Sequence, residues 1–171
     1  MTAFDAIAHS MSAARTRSPR GPAPIRARNL PLLLLQARES VLARFRPLLN
    51  ANGVTEQQWR IVRALAETGP LEPRQIVQLC GISSPSLAGV LARMEALGFV
   101  ERERLEHDQR RQRVSLTATS RALVTRMAPQ VEATYAVLEK ELGRERLATL
   151  HAVLDDVLRQ LGPADESAAA D

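Results

Sequence analysis

Cysteine is nearly absent from this chain, with Cys80 standing alone. A single thiol excludes an intrachain disulfide and any metal site assembled from the cysteines of one chain. Cys80 lies in Ile76-Val-Gln-Leu-Cys-Gly81, on the apolar run of an expected helix. The spacing predicts a small buried hydrophobe there, with a redox sensor as the alternative. Aromatic residues make up only 3% of the chain, so the core must be built from Leu, Val, Ala and Ile. That palette favours packed helices over a β-sandwich. Long apolar runs are missing: Leu30-Pro-Leu-Leu-Leu-Leu35 stops at Gln36 and Arg38, far short of a membrane span. The N-terminus has no apolar core of the secretory kind, and a cytoplasmic protein is expected. The three histidines, His9, His107 and His151, are scattered. With no Ser-His-Asp arrangement, metal-ligand spacing or phosphate loop, neither an enzyme, a cofactor nor a metal is expected. His107 beside Asp108 is too little for a zinc site. The net charge of +4 is carried entirely by residues 1–28, so the body balances at zero. Any anion-binding face in the body must therefore arise from local clustering.

What the chain does have is helical periodicity in a definite order. Its 171 residues suit one domain with tails. Residues 1–28, with Pro19, Pro22, Pro24 and Gly21 among arginines, read as a disordered basic leader, and residues 162–171 as a disordered tail. A first helix is expected from about Pro31 to Leu49, capped by Asn29. Its apolar face, Leu34, Val41, Phe45 and Leu48 with Leu35, Leu42 and Leu49 beside them, is wide enough to need a partner helix. Thr55-Glu-Gln-Gln58 is a capping box opening a second helix through Trp59, Ile61, Val62 and Leu65 to about Thr68. A short helix from about Glu72 to Cys80 is closed by Gly81. Ser83-Ser84-Pro85 then opens a fourth, running to Gly98. Val100 to Leu105 and Gln112 to Leu116 read as two strands joined by a charged loop with Asp108, Arg110 and Arg111. Thr117 caps a long helix over Ala118 to Leu142, Gly143 breaks it, and Arg144 to Leu161 forms the last.

This order predicts a mainly α fold: a winged helix-turn-helix with a short β-hairpin wing and an N-/C-terminal helical dimerisation region. The domain spans residues 29–161. Residues 52–117 form a DNA-binding lobe, and 29–50 with 118–161 supply dimerisation helices. Their stripes exceed what a lone winged lobe buries, so a homodimer reading a palindromic operator in double-stranded DNA is expected. On the recognition helix, Ser83, Ser84, Ser86, Gly89 and Arg93 are the candidate contacts. Serine hydroxyls at a helix N-terminus can meet phosphates or base edges, and small residues let the helix sit deep in the groove. At the wing, Arg110 and Arg111 suit a narrow minor groove, with Asp108 orienting Arg110 through a bidentate pair. The bland alternatives are a serine cap and a solvated hairpin. Arg38, Trp59 and Arg63 combine cations with an aromatic wall, the needs of an aromatic carboxylate effector. Their alternative is core packing and structural ion pairs.

The stretch Asp108-Gln-Arg-Arg-Gln-Arg-Val-Ser-Leu-Thr117 after Leu97-Gly-Phe-Val100 resembles the MarR family of winged helix-turn-helix regulators, over about Asn29 to Leu161. More narrowly, Leu34-Leu-Gln-Ala-Arg-Glu39, Phe45-Arg-Pro47 and Thr55-Glu-Gln-Gln-Trp-Arg-Ile-Val-Arg63 resemble the HpaR type, regulators of homoprotocatechuate breakdown. The chain is also similar to the BpsR and NicR repressors of nicotinate catabolism. The resemblance implies a homodimeric repressor of an aromatic-acid, nicotinate-type catabolic operon, released by a small aromatic carboxylate such as a hydroxynicotinate. It places the wing pair at Asp108 and Arg110 and the effector cleft between the first two helices and the winged lobe. Many members carry a hydroxyl residue and an arginine where this chain has Ala88 and Gly89, which shifts weight toward shape readout by the wing. The alternatives are a homoprotocatechuate-type regulator, a Cys80 redox regulator, and a winged-helix module that binds protein instead of DNA.

Overall fold

The computed structural model describes residues 28–105 and 108–162, with the side chains of 105 and 108–110 excepted. The leader through residue 27, the tail from 163 and the wing-tip residues Glu106 and His107 lie outside the described residues.

Six helices and one hairpin follow the expected order. Helix α1 spans Leu30–Ala51, opened by Asn29, whose side chain accepts from the Leu32 N–H at 3.0 Å. Helix α2, Glu56–Thr68, begins at a reciprocal capping box. The Thr55 hydroxyl accepts from the Gln58 N–H at 3.2 Å, and the Gln58 side chain accepts from the Thr55 N–H at 2.9 Å. Helix α3, Pro73–Cys80, ends at Gly81 in the left-handed region at φ 55°, where a Cβ would be strained. The chain turns by 109° into α4, Ser84–Ala96. That is the crossing of a helix-turn-helix.

The wing is an antiparallel pair, β1 (Val100–Leu105) and β2 (Asp108–Leu116). Strand β2 starts four residues before the expected Gln112. The charged run 108–111 shows no apolar alternation, yet it can pair through backbone groups alone. Register matches Val100 with Leu116 and Arg102 with Val114, and it is irregular between Arg104 and Leu105. Leu71 adds a one-residue third strand on the other edge of β2, exchanging two backbone bonds with Val114 at 3.0 and 2.7 Å. Sequence reasoning did not find it, because a single residue between Pro70 and Pro73 carries no period.

Helix α5, Ala118–Leu142, is held at its start by Thr117, whose hydroxyl accepts from the Ser120 N–H at 3.3 Å and donates to the Gly98 carbonyl at 2.6 Å. Helix α6 is Arg144–Leu161. Both match the expected bounds.

Three apolar clusters form the interior. The largest joins α2, α3, α4 and the wing through Ile61, Ile76, Met94, Val100 and Val114. A second joins the end of α1 to α5 through Leu49, Val54, Leu123 and Met127. The third holds Phe45, Val131 and Leu138. Trp59, the only tryptophan, packs against all three. It sits where the winged lobe meets the long helices. By contrast, α6 buries no residue at all, and Leu30, Leu32, Leu33, Leu34 and Leu35 of α1 are exposed. No single described helix is long and apolar enough to cross a membrane.

Candidate nucleic-acid interface and effector cavity

Helix α4 buries Leu87, Val90, Leu91 and Met94 and leaves Ser83, Ser84, Ser86, Gly89 and Arg93 exposed. The five predicted contacts are therefore all open to solvent, Ser83 and Ser84 at the N-terminal end of the helix and Ser86, Gly89 and Arg93 along one side of it. Ser83 holds the N-cap position, but its hydroxyl does not cap the backbone as expected. It donates to Ser86 Oγ at 2.9 Å. The missing Cβ of Gly89 would lie 3.6 Å from Arg93 Nη1, so the guanidinium folds back along the helix over Gly89. Arg93 has no acidic partner among the described residues.

In the wing, Arg102 shares the inward face with Val100 and Val114 and forms an ion pair with Glu95 of α4. That guanidinium holds the Glu95 carboxyl below the usual carboxylate range. Arg111, one of the expected DNA contacts, pairs with Glu72 at the start of α3, Nε lying 3.2 Å from Glu72 Oε2. The pair ties β2 to the helix-turn-helix, so in this state Arg111 braces the wing. Asp108 and Arg110 open β2 at its tip, and their expected bidentate pair lies outside the described side chains.

The second expected site is a cavity of about 350 Å³ between α1, α2, the end of α3 and α5. Arg38, Trp59 and Arg63 all line it, although they come from two helices. Val41, Leu42 and Phe45 form an apolar wall. Each lining arginine is already engaged. Arg38 reaches across from α1 to Glu56 of α2. The same Glu56 oxygen accepts from Arg60 at 2.6 Å, and Arg60 also donates to the Cys80 carbonyl at 2.5 Å. Arg63 donates to Glu67 at 2.6 Å and to the Tyr135 hydroxyl at 3.1 Å. The Glu67 bond, chiefly, pushes the Arg63 pKa up, which keeps the guanidinium charged. Three guanidiniums against two carboxylates leave one positive charge uncompensated in the lining. Trp59 is thus both core and cavity wall, so the two readings of it are compatible.

Sequence reasoning missed Tyr135, Glu56, Arg60 and Glu67. By its spacing from Met127, Val131 and Leu138, Tyr135 falls on the apolar stripe of α5. Its ring in fact stands edge-on to Phe45, centroids 5.1 Å apart, with its hydroxyl turned to Arg63. The spacings Glu56–Arg60 and Arg63–Glu67, four residues each, were the available signal. Cys80 is buried, and burial pushes its thiol pKa up. A reactive cysteine needs the opposite shift. No cluster of three metal-ligating side chains occurs among the described residues.

The sequence pattern of the MarR family matches residues 52–111, from the end of α1 to the wing tip. The regulator FarR of Neisseria gonorrhoeae is 38% identical over 134 residues, covering 78% of this chain and 89% of FarR. This chain belongs to the MarR family. Another relative, the homoprotocatechuate degradative operon repressor of Escherichia coli, is 38% identical over 130 residues, 76% of this chain and 88% of that protein. Among solved structures, NadR in complex with 4-hydroxyphenylacetate superposes with a TM-score of 0.70 at 38% identity, covering 80% of this chain and 96% of NadR. The 6-hydroxynicotinate-regulated BpsR of Bordetella bronchiseptica shares the fold with a TM-score of 0.68, at 23% identity over 76% of this chain and 98% of BpsR. This MarR-family chain thus places its helix-turn-helix and wing where the family pattern lies, and its cavity just behind them.

Proposed function

We propose that the protein is a homodimeric repressor that binds a palindromic operator in the cytoplasm and leaves it when a small aromatic carboxylate fills the cavity lined by Arg38, Trp59 and Arg63. The convergence of these residues at the junction of the three apolar clusters carries the reading. A ligand there touches α1 and α5 on one side and α2 of the DNA-binding lobe on the other. Two recognition helices must meet successive major grooves roughly 34 Å apart. An acid that prefers a different lobe spacing weakens DNA binding by the difference in its affinity for the two arrangements. The single uncompensated positive charge of the lining suits a monocarboxylate, and Trp59 and Phe45 suit its ring. On the DNA side, Ser83, Ser84, Ser86, Gly89 and Arg93 meet the major groove, and the wing brings Arg110, oriented by Asp108, to the narrow minor groove with Arg111 beside it.

The controlled operon serves breakdown of an aromatic acid. The family resemblance implies a nicotinate-type acid, with a homoprotocatechuate-type acid as the alternative. The 38% identity to NadR and to the homoprotocatechuate repressor moves the weight to phenylacetate-type acids. Both classes offer a ring, one carboxylate and a hydroxyl. The test is isothermal titration with 4-hydroxyphenylacetate, homoprotocatechuate and 6-hydroxynicotinate, followed by operator binding with and without each acid. At least one acid is expected to bind and to release DNA, and Arg63→Met is expected to lose that binding. Operator affinity untouched by every acid would sink the effector reading.

A further inference from the structure

The cavity's cations are already satisfied, and this bears on how an acid can enter. Glu56 sits at the first position of α2, half-buried, with one carboxylate oxygen shared between Arg38 and Arg60. Arg60 belongs to the same helix as Glu56, so that bond is local. Arg38 belongs to α1, eighteen residues earlier. Among the described residues, Arg38–Glu56 is the one ion pair joining α1 to α2. The first turns of α1 carry the exposed Leu30, Leu32, Leu33, Leu34 and Leu35, while α2 carries Trp59 against the core of the winged lobe. The pair therefore links the two parts whose relative placement sets the spacing of the recognition helices.

We propose that Glu56 is an internal substitute for the effector carboxylate: the acid binds by taking Arg38 from Glu56 and so undoes the link between α1 and the DNA-binding lobe. This rests on the acid-cavity reading given above. A carboxylate entering beside Arg38 cannot share it fully with Glu56, because two anions on one guanidinium repel each other at close range. Arg60 keeps Glu56 paired after the exchange, so no charge is left alone. The lining then goes from one uncompensated positive charge to none. Glu56 thereby sets the affinity threshold for the acid, and the latched state is the one that holds DNA.

The test compares Glu56→Gln and Arg38→Met with the wild type, using titration with 4-hydroxyphenylacetate, homoprotocatechuate and 6-hydroxynicotinate and operator binding without acid. Removing the competitor in Glu56→Gln is expected to tighten acid binding by about fivefold, the reach of a partly exposed ion pair. It is expected to weaken acid-free operator binding by a similar factor, since both effects come from one shifted equilibrium. Arg38→Met breaks the same link but removes the acid's cation, so operator and acid affinity both fall. A merely structural role for Glu56 would lower both affinities and the melting temperature together. Acid binding by the wild type with unchanged or weakened binding by Glu56→Gln overturns the latch alone. No binding of any of these acids to the wild type overturns the cavity reading and the latch with it.

Discussion

Leu158→Glu is expected to separate the dimer without harming the fold of the protomer. Leu158 lies on α6 with 68% of its surface open, one turn from Leu161 at 81%, and Val153 on the same helix is 54% open. No residue of α6 is buried within its own chain. Covering a leucine fully contributes ~1.5–3 kcal/mol, so covering the open part of Leu158 contributes about 1–2 kcal/mol per protomer. A carboxylate forced into that apolar contact costs about 1–3 kcal/mol more on each side. Two-fold pairing counts the change twice, for a total of ~4 kcal/mol or more, which is about a thousandfold in the dimer dissociation constant. Sedimentation velocity at micromolar protein reads this directly: dimer for the wild type, monomer for the variant. Far-ultraviolet circular dichroism is expected to stay unchanged, because Leu158 has little internal packing to lose. A variant that sediments as the wild type does, or a wild type that is monomeric throughout, would refute the assignment of α1 and α6 to a subunit interface.

Arg110→Ala is expected to weaken operator binding by roughly 5- to 150-fold, the range for losing one arginine contact, with the dimer intact; a salt-matched gel shift with no change would remove the wing from the interface. Gly89→Ala is expected to raise thermal stability by about 0.5–1 kcal/mol, since a glycine inside an exposed helix is a pure entropic loss and the new methyl meets only Arg93 at 3.6 Å. Weaker DNA binding in that stabilised variant would mark Gly89 as a point of close approach, whereas a lower melting temperature would contradict the open space seen around it. Cys80 is expected to react with Ellman's reagent in the native protein far more slowly than in the unfolded one, because burial blocks access and holds the thiol neutral. Its raised pKa also has a sign for stability. The unfolded thiol ionises first, so stability falls as pH rises past the ordinary thiol range, an effect that Cys80→Ala is expected to remove from a pH series of melting curves. Peroxide-sensitive DNA binding that disappears in Cys80→Ser would restore the redox reading.

Much of this architecture was legible in the chain because its boundaries are set by local chemistry. Asn29, the Thr55–Gln58 box, Gly81, Thr117 and Gly143 each satisfy or interrupt backbone groups within a few residues, so helix ends could be read without knowing any long-range contact. Apolar spacing then named the buried face of α2. Tertiary structure alone decided the rest. Leu71 became a strand only because β2 offered it an open edge. Arg111 became a brace only because the wing leans on α3 and presents it to Glu72. The cavity joined Arg38 to Tyr135 across most of the domain, and it gave Arg38 a carboxylate, Glu56 of another helix, that no spacing along the chain could foresee. Caps and turns obey neighbours along the chain, whereas charge pairing and cavity shape obey neighbours in space.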